Sequence, residues 1–283
     1  MVHLAGFKAF LKRKDIEFSL RRYGIDALGA MAQGLFCSLL IGTILNTLGS
    51  QTGLTIFSTV GGYATAMSGP AMAVAIGYAL KCPPLVLFSL VPVGWASNAL
   101  GGAGGPLAVL VIAIVAAEVG KMVSKETPID VLVTPLVTIF VGVALAALIA
   151  PPIGAGADYI GSLIKRATVL QPFWMGIIVS ASVGIALTLP ISSAAICHSF
   201  NLVGLAGGAA VAGCCANMVG FAIMSFRENR WGGLVSQGLG TSMLQMGNIV
   251  KNPRIWLPAI LTSMITGPIA TCVWWRWGRL SWR

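Results

Sequence analysis

The chain has 283 residues, of which 57% are hydrophobic and 9% charged, and its mean hydropathy is +0.88. Soluble domains carry about 25% charged residues, so this composition excludes a water-exposed globular surface. The formal charge of +10 sits in short basic clusters between apolar runs, which is how membrane topology is set and not how a nucleic-acid surface is built.

At about 20 apolar residues per crossing, the length accommodates roughly eight to ten membrane segments and leaves no room for a soluble catalytic domain. The expected fold class is an all-α polytopic membrane protein, one transmembrane domain over residues 1–283, with broken helices and re-entrant hairpins. Residues 1–23 are basic and amphipathic and lack the short apolar run and cleavage site of a signal peptide. They read as a cytoplasmic or interfacial helix.

Ile25–Leu48 and Leu54–Leu80 are each long enough to span, and Gly61, Gly62, Gly69 and Pro70 predict a break in the second. Leu85–Leu100 and Pro106–Val123 follow, separated by Gly101, Gly102, Gly104 and Gly105, as two crossings or one deep hairpin. Ile129–Ala150 is the cleanest span, expected to end at Pro151 and Pro152. In residues 153–170 the charges Asp158, Lys165 and Arg166 alternate with Ile160, Leu163 and Ile164, as in an amphipathic helix lying on the membrane.

Phe173–Leu189 and Leu202–Phe226 are apolar, and the junction Pro190 to Asn201 between them is too polar to face lipid. Gly232–Val250 is dense in Gly, Ser, Thr, Gln and Asn and reads as a re-entrant hairpin buried in protein. The last span, Ile255–Trp275, runs into a mixture of Trp and Arg suited to a membrane surface. Basic residues at both termini place both ends inside, although strict alternation then leaves Lys165, Arg166 and the 227–254 cations outside. Gly62, Gly77, Lys81 and Pro83 recur as Gly232, Gly247, Lys251 and Pro253 at a constant offset of 170, a faint echo of the internal repeats of transporters.

The densest polar constellation is Gln237, Thr241, Ser242, Gln245 and Asn248, set among glycines that let backbone approach a ligand. These groups either hydrogen-bond a sugar's hydroxyls or knit neighbouring helices together. His198 and Asn201, in the break after Pro190, form a second candidate, for ligand contact or proton handling. Glu228 opens the hairpin and is either a partner of Arg227 and Arg230 or an acceptor for a solute. Glu118 lies one turn before Lys121 and is expected to pair with it, and Asp26 is expected to cap its helix or pair with Arg22. The six cysteines lack zinc or disulfide spacing and read as small buried residues. No metal site and no flavin, nicotinamide or Walker fingerprint is present, so no cofactor is expected.

The run from Ser225 to Gln245, the segment Asn248 to Arg254, the block His198 to Asn217 and the block Gly77 to Leu85 together resemble the enzyme IIC-like membrane family of the phosphotransferase system, including its perfringolysin-regulator-like branch. The resemblance implies a homodimeric bacterial permease component that binds a sugar within the cell membrane while separate enzyme IIA and IIB proteins supply the phosphoryl group. It also implies a glycine-rich segment beyond the last span, where this chain has Trp274 to Arg283. A sensor built on the same fold, or a secondary transporter not coupled to phosphorylation, are the competing functions.

Overall fold

The computed structural model describes residues 9–200 and 202–280, the side chains of 198 and 274–280 excepted. The described chain is helical without strands and falls into two compact units, 1–153 and 154–283.

In the first unit, α1 (Arg22–Thr52) includes two π-helical stretches, Arg22–Ala27 and Phe36–Leu40. It ends at Gly53, whose φ of 73° is left-handed. Only glycine adopts that conformation without Cβ strain, so Gly53→Ala should cost about 1 kcal/mol, read as a lowered thermal midpoint in detergent. The chain then returns as α2 (Thr55–Ala66) and α3 (Ser68–Ala79). Gly49 faces Ser58, Gly42 faces Gly61 and Thr65, and Gly34 faces Ala71 and Met72, so the returning pair runs antiparallel along α1. The expected break falls at Met67. Pro70 does not cause it, because Pro70 occupies the first turn of α3, where an N–H has no intrahelical acceptor.

After Lys81 and Pro83, α4 (Pro84–Gly101) and α5 (Gly105–Val123) form a hairpin around a single turn of 3-10 helix, Gly102–Gly104. Gly105 packs on Asn98 near the turn and Gly120 packs on Val86 far from it, so the two helices are antiparallel. Each has enough length to cross at 1.5 Å per residue. Gly69 and Gly94 meet backbone to backbone where α3 crosses α4. Side chains larger than hydrogen would push these helices apart.

α6 (Asp130–Ala167) corrects the expectation that Pro151 and Pro152 end a helix: it runs through both for 38 residues. The two prolines remove two N–H donors, whereas unwinding the backbone in an apolar medium would orphan many more groups. Residues 153–167 are therefore the continuation of a long helix, and the boundary between the two units lies just past the prolines.

The second unit contains α7 (Pro172–Thr188), the short α8 (Ser193–Ser199), α9 (Gly204–Met224), α10 (Phe226–Val235), α11 (Met246–Lys251) and α12 (Trp256–Leu280). Ser180 and Gly184 of α7 meet Gly213 and Asn217 of α9 in the same order, so these two helices run parallel. Gly176 meets Gly267 and Ser180 meets Ser263, so α12 runs antiparallel to both. The ends of α7 and α9 and the start of α12 thus share one end of the unit. Residues 226–251, which contain the expected hairpin Gly232–Val250, leave and return at that end.

Among the described residues, five helical stretches are long and apolar enough to cross a membrane, and one of them, Pro84–Val123, is the α4–α5 hairpin. With that stretch divided, and with the α2–α3 pair and α7 included, the described residues contain eight apolar segments besides the hairpin 226–251. The echo at offset 170 does not correspond to a repeated arrangement: α1 and α4 start at the same end of the first unit and run parallel, whereas their counterparts α9 and α12 are antiparallel.

All six cysteines are free, and Cys37, Cys215 and Cys272 are exposed, which corrects the expectation that they are buried. Apolar flanking sequence marks a lipid-facing helix surface as readily as a core. At the turn before α4, outside the spans, burial pushes the Cys82 thiol up to about 12.

Candidate functional site

The predicted hairpin folds as a series of short, differently wound pieces. α10 is split at Arg230 (φ 51°, ψ −148°) and buries none of its residues. A π-helical turn, Ser236–Gly240, then carries the chain inward to Thr241, which is fully extended. The Thr241 hydroxyl accepts from the Met243 N–H at 3.2 Å and so caps the 3-10 turn Ser242–Gln245. Four glycines and no helix-filling apolar periodicity in 232–240 explain why no single helix forms.

This winding buries Gln237, Thr241, Ser242 and Gln245, with Ser242 wholly enclosed. Gln237 Nε2 donates to Ser225 Oγ at 3.0 Å, at the end of α9. The Ser242 and Thr188 hydroxyls lie 2.8 Å apart, joining the hairpin to the end of α7. Asn248 Nδ2 donates to Gln245 Oε1 at 2.8 Å, although Asn248 itself is exposed. Gln237 Oε1 is buried and receives no hydrogen bond from the protein. A buried acceptor without a donor costs about 1–3 kcal/mol, so this oxygen is the one group of the hairpin poised to take a donor from elsewhere.

A second polar layer crosses the unit beneath the hairpin. Asn217 Nδ2 donates to Ser263 Oγ at 2.7 Å and to the Gly213 carbonyl at 3.1 Å, while Ser180 Oγ donates to the Ser263 carbonyl at 2.6 Å. Asn217 is fully buried and its Oδ1 also receives no hydrogen bond. Sequence reasoning did not single out Asn217, Ser180, Ser263 or Thr188. A lone amide in a helix of small residues, as Asn217 is in α9, was the available signal.

Glu228 is exposed, as are Arg227 and Arg230, and among the described residues none of the ion pairs includes it. The side chain of His198 and the whole of Asn201 lie outside the described residues. Their neighbours Phe200 and Leu202 line a cavity of about 420 Å³ with Pro172 and Met175 at the start of α7. Ser242 sits against Thr188 at the other end of that helix, roughly 20 Å away at 1.5 Å per residue. The hairpin candidates are therefore gathered in one place, and the segment bearing the second candidate passes the opposite end of α7.

In the first unit, Glu118 and Lys121 are paired as expected at 3.0 Å, and both are almost fully buried. Tyr23 donates to Glu118 Oε1 at 3.1 Å, and the Lys121 ammonium also donates to the carbonyls of Asp15 (2.7 Å) and Leu80 (3.2 Å). Arg22 pairs with Asp15 at 2.8 Å, which corrects the expected Asp26 partner; Asp26 is exposed. That pairing, through its hydrogen bond, holds the Asp15 carboxyl below the usual range.

Residues 25–278 match the family model described as Phosphotransferase system, EIIC. The chain belongs to that family. The match spans both units of this EIIC-family chain, including the hairpin and the buried pair, and its helical, apolar architecture is that of a membrane protein and a permease component of a phosphotransferase-type system. No curated protein and no solved structure matches this EIIC-family chain.

Proposed function

We propose that this chain, acting as one transmembrane domain over 1–283, is the sugar-binding permease subunit of a phosphotransferase-type system in a bacterial cell membrane. Its solute site is built on Gln237, Thr241, Ser242, Gln245 and Asn248, with Glu228, His198 and Asn201 as further contacts reached during alternating access. The observation that carries this reading is the buried, uncharged amide-and-hydroxyl cluster of the hairpin, in which Gln237 Oε1 lacks a donor. Neutral donors and acceptors at a glycine-rich backbone suit the hydroxyls of a sugar, whereas a charged solute would need a counter-charge. The pairing of Glu118 with Lys121 leaves no unpaired acid buried among the described residues, which favours this reading over an ion-coupled carrier. The N-terminus is cytoplasmic, the subunit is a homodimer, and separate enzyme IIA and IIB proteins phosphorylate the solute.

Gln245→Ala and Asn248→Ala break the 2.8 Å bond between these side chains without touching an apolar span. Each should weaken binding by about 0.5–1.5 kcal/mol, rising to about 3 kcal/mol where a solute hydroxyl is left unsatisfied, or roughly 2-fold to 150-fold. Uptake of a labelled sugar panel into vesicles, with and without phosphorylated IIB, is the decisive measurement. Accumulation of sugar phosphate at reduced apparent affinity in both variants supports the reading. Parent-like affinity in both, with binding abolished by Glu118→Gln, would move the site to the first unit.

A further inference from the structure

The first unit contains a cavity of about 430 Å³ at the end where α1 begins, α3 and α5 finish, and α4 and α6 start. Five cations line it: Arg13, Lys14, Lys81, Lys121 and Lys125. Its two carboxylates are already engaged, Asp15 by Arg22 and Glu126 by Arg13 and Lys14, and Lys121 is paired with Glu118. Among the described residues, the ammonium groups of Lys81 and Lys125 take part in none of the ion pairs or hydrogen bonds, and both residues are exposed.

The backbone singles out the same place. Among the described residues, four non-glycine residues have positive φ, and three of them, Asp15 (53°), Lys81 (57°) and Lys125 (62°), line this cavity. Left-handed backbone is unfavourable for lysine, and such strain clusters where a side chain must be presented in one direction. Lys81 lies in the turn between α3 and α4, Lys125 in that between α5 and α6, so two chain reversals converge on one spot. On the segment that forms the cavity's wall, Phe18 and Leu20 are exposed at 73% and 78%. Large apolar side chains beside a basic cavity at the rim of apolar helices mark the boundary between hydrocarbon and headgroups.

We infer that this cavity binds a phosphate group, presented as the headgroup of an anionic lipid, with Lys81 and Lys125 as its principal contacts. The oxygens of a phosphodiester accept from the two ammonium groups while the acyl chains extend past Phe18 and Leu20. This site is independent of the solute reading of the hairpin, which lies in the other unit.

Full-length protein is reconstituted in nanodiscs of phosphatidylcholine alone or with phosphatidylglycerol, and lipid retention and the thermal midpoint are read. Lys81→Asn/Lys125→Asn removes both charges and keeps a residue that tolerates left-handed backbone, so its midpoint in phosphatidylcholine should equal the parent's. At roughly a fivefold step per lysine, retention of phosphatidylglycerol should fall about 30-fold. Lys251→Asn, an exposed cation of the other unit, should leave it unchanged. Millimolar inorganic phosphate in phosphatidylcholine discs, matched in ionic strength with chloride, separates the sources: protection by phosphate equal to that by phosphatidylglycerol assigns the site to free phosphate, and the lack of it assigns the site to lipid. Equal loss with Lys251→Asn, or no response of the parent to either ligand, would overturn the inference.

Discussion

Lys121→Ala should lower the stability of the protein by about 3–5 kcal/mol, the largest effect expected of any single charge removal here. The variant leaves Glu118, 4% exposed, without its counter-ion in an apolar bundle, and a buried charge stripped of its partner costs that much. Lys121 also ties the carbonyls of Asp15 and Leu80 to α5, so its loss frees the segment before α1 and the turn after α3 together. Glu118 Oε2 lies 3.0 Å from the ammonium yet receives no directed hydrogen bond, so its stabilisation is Coulombic and vanishes with the charge. Glu118→Gln/Lys121→Met should recover most of the loss, because two neutral side chains of similar volume carry no such penalty. Thermal unfolding of the two variants in one detergent decides it: a Lys121→Ala midpoint equal to the parent's would show that the pair is not enclosed.

The second large effect is expected from Gly213→Val in the other unit. A Cβ at Gly213 would run into the backbone of Ser180, so α7 and α9 could not keep their separation. Overpacking of this kind costs about 1–3 kcal/mol, and displacement of α9 would also break the Asn217–Ser263 bond to α12, leaving a buried group unsatisfied at about 1–3 kcal/mol. A total loss of roughly 2–6 kcal/mol follows. Gly208→Ala, on the same helix with nothing near its Cβ position, should be neutral or slightly stabilising because alanine has the higher helix propensity. If the two variants melted together, the close approach of α7 and α9 would not be contributing to stability.

Much of the candidate site was legible in the residues themselves. Polar density within an apolar chain picked out Gln237, Thr241, Ser242 and Gln245, and these are buried together. Spacing along one helix picked out the Glu118–Lys121 pair, because neighbours three residues apart share a face. The same spacing rule offered Asp26, otherwise a helix cap, as a partner for Arg22, which instead pairs with Asp15. The segment before α1 folds back on the helix end, and local periodicity carries no information about a chain reversal outside the helix.

Sequence by itself determined that this is an all-α membrane protein, where its apolar segments lie, and that residues 232–250 cannot form an ordinary span. Those conclusions follow from the cost of exposing backbone and charge to hydrocarbon, which acts on each segment separately. Tertiary structure alone decided that α7 and α9 run parallel, that α6 continues through Pro151 and Pro152, and that Asn217 and Ser263 meet. Hydropathy scores a lipid-facing and a protein-facing residue alike, so which apolar face is buried, and which small residues bring backbones into contact, depends on the partner helix.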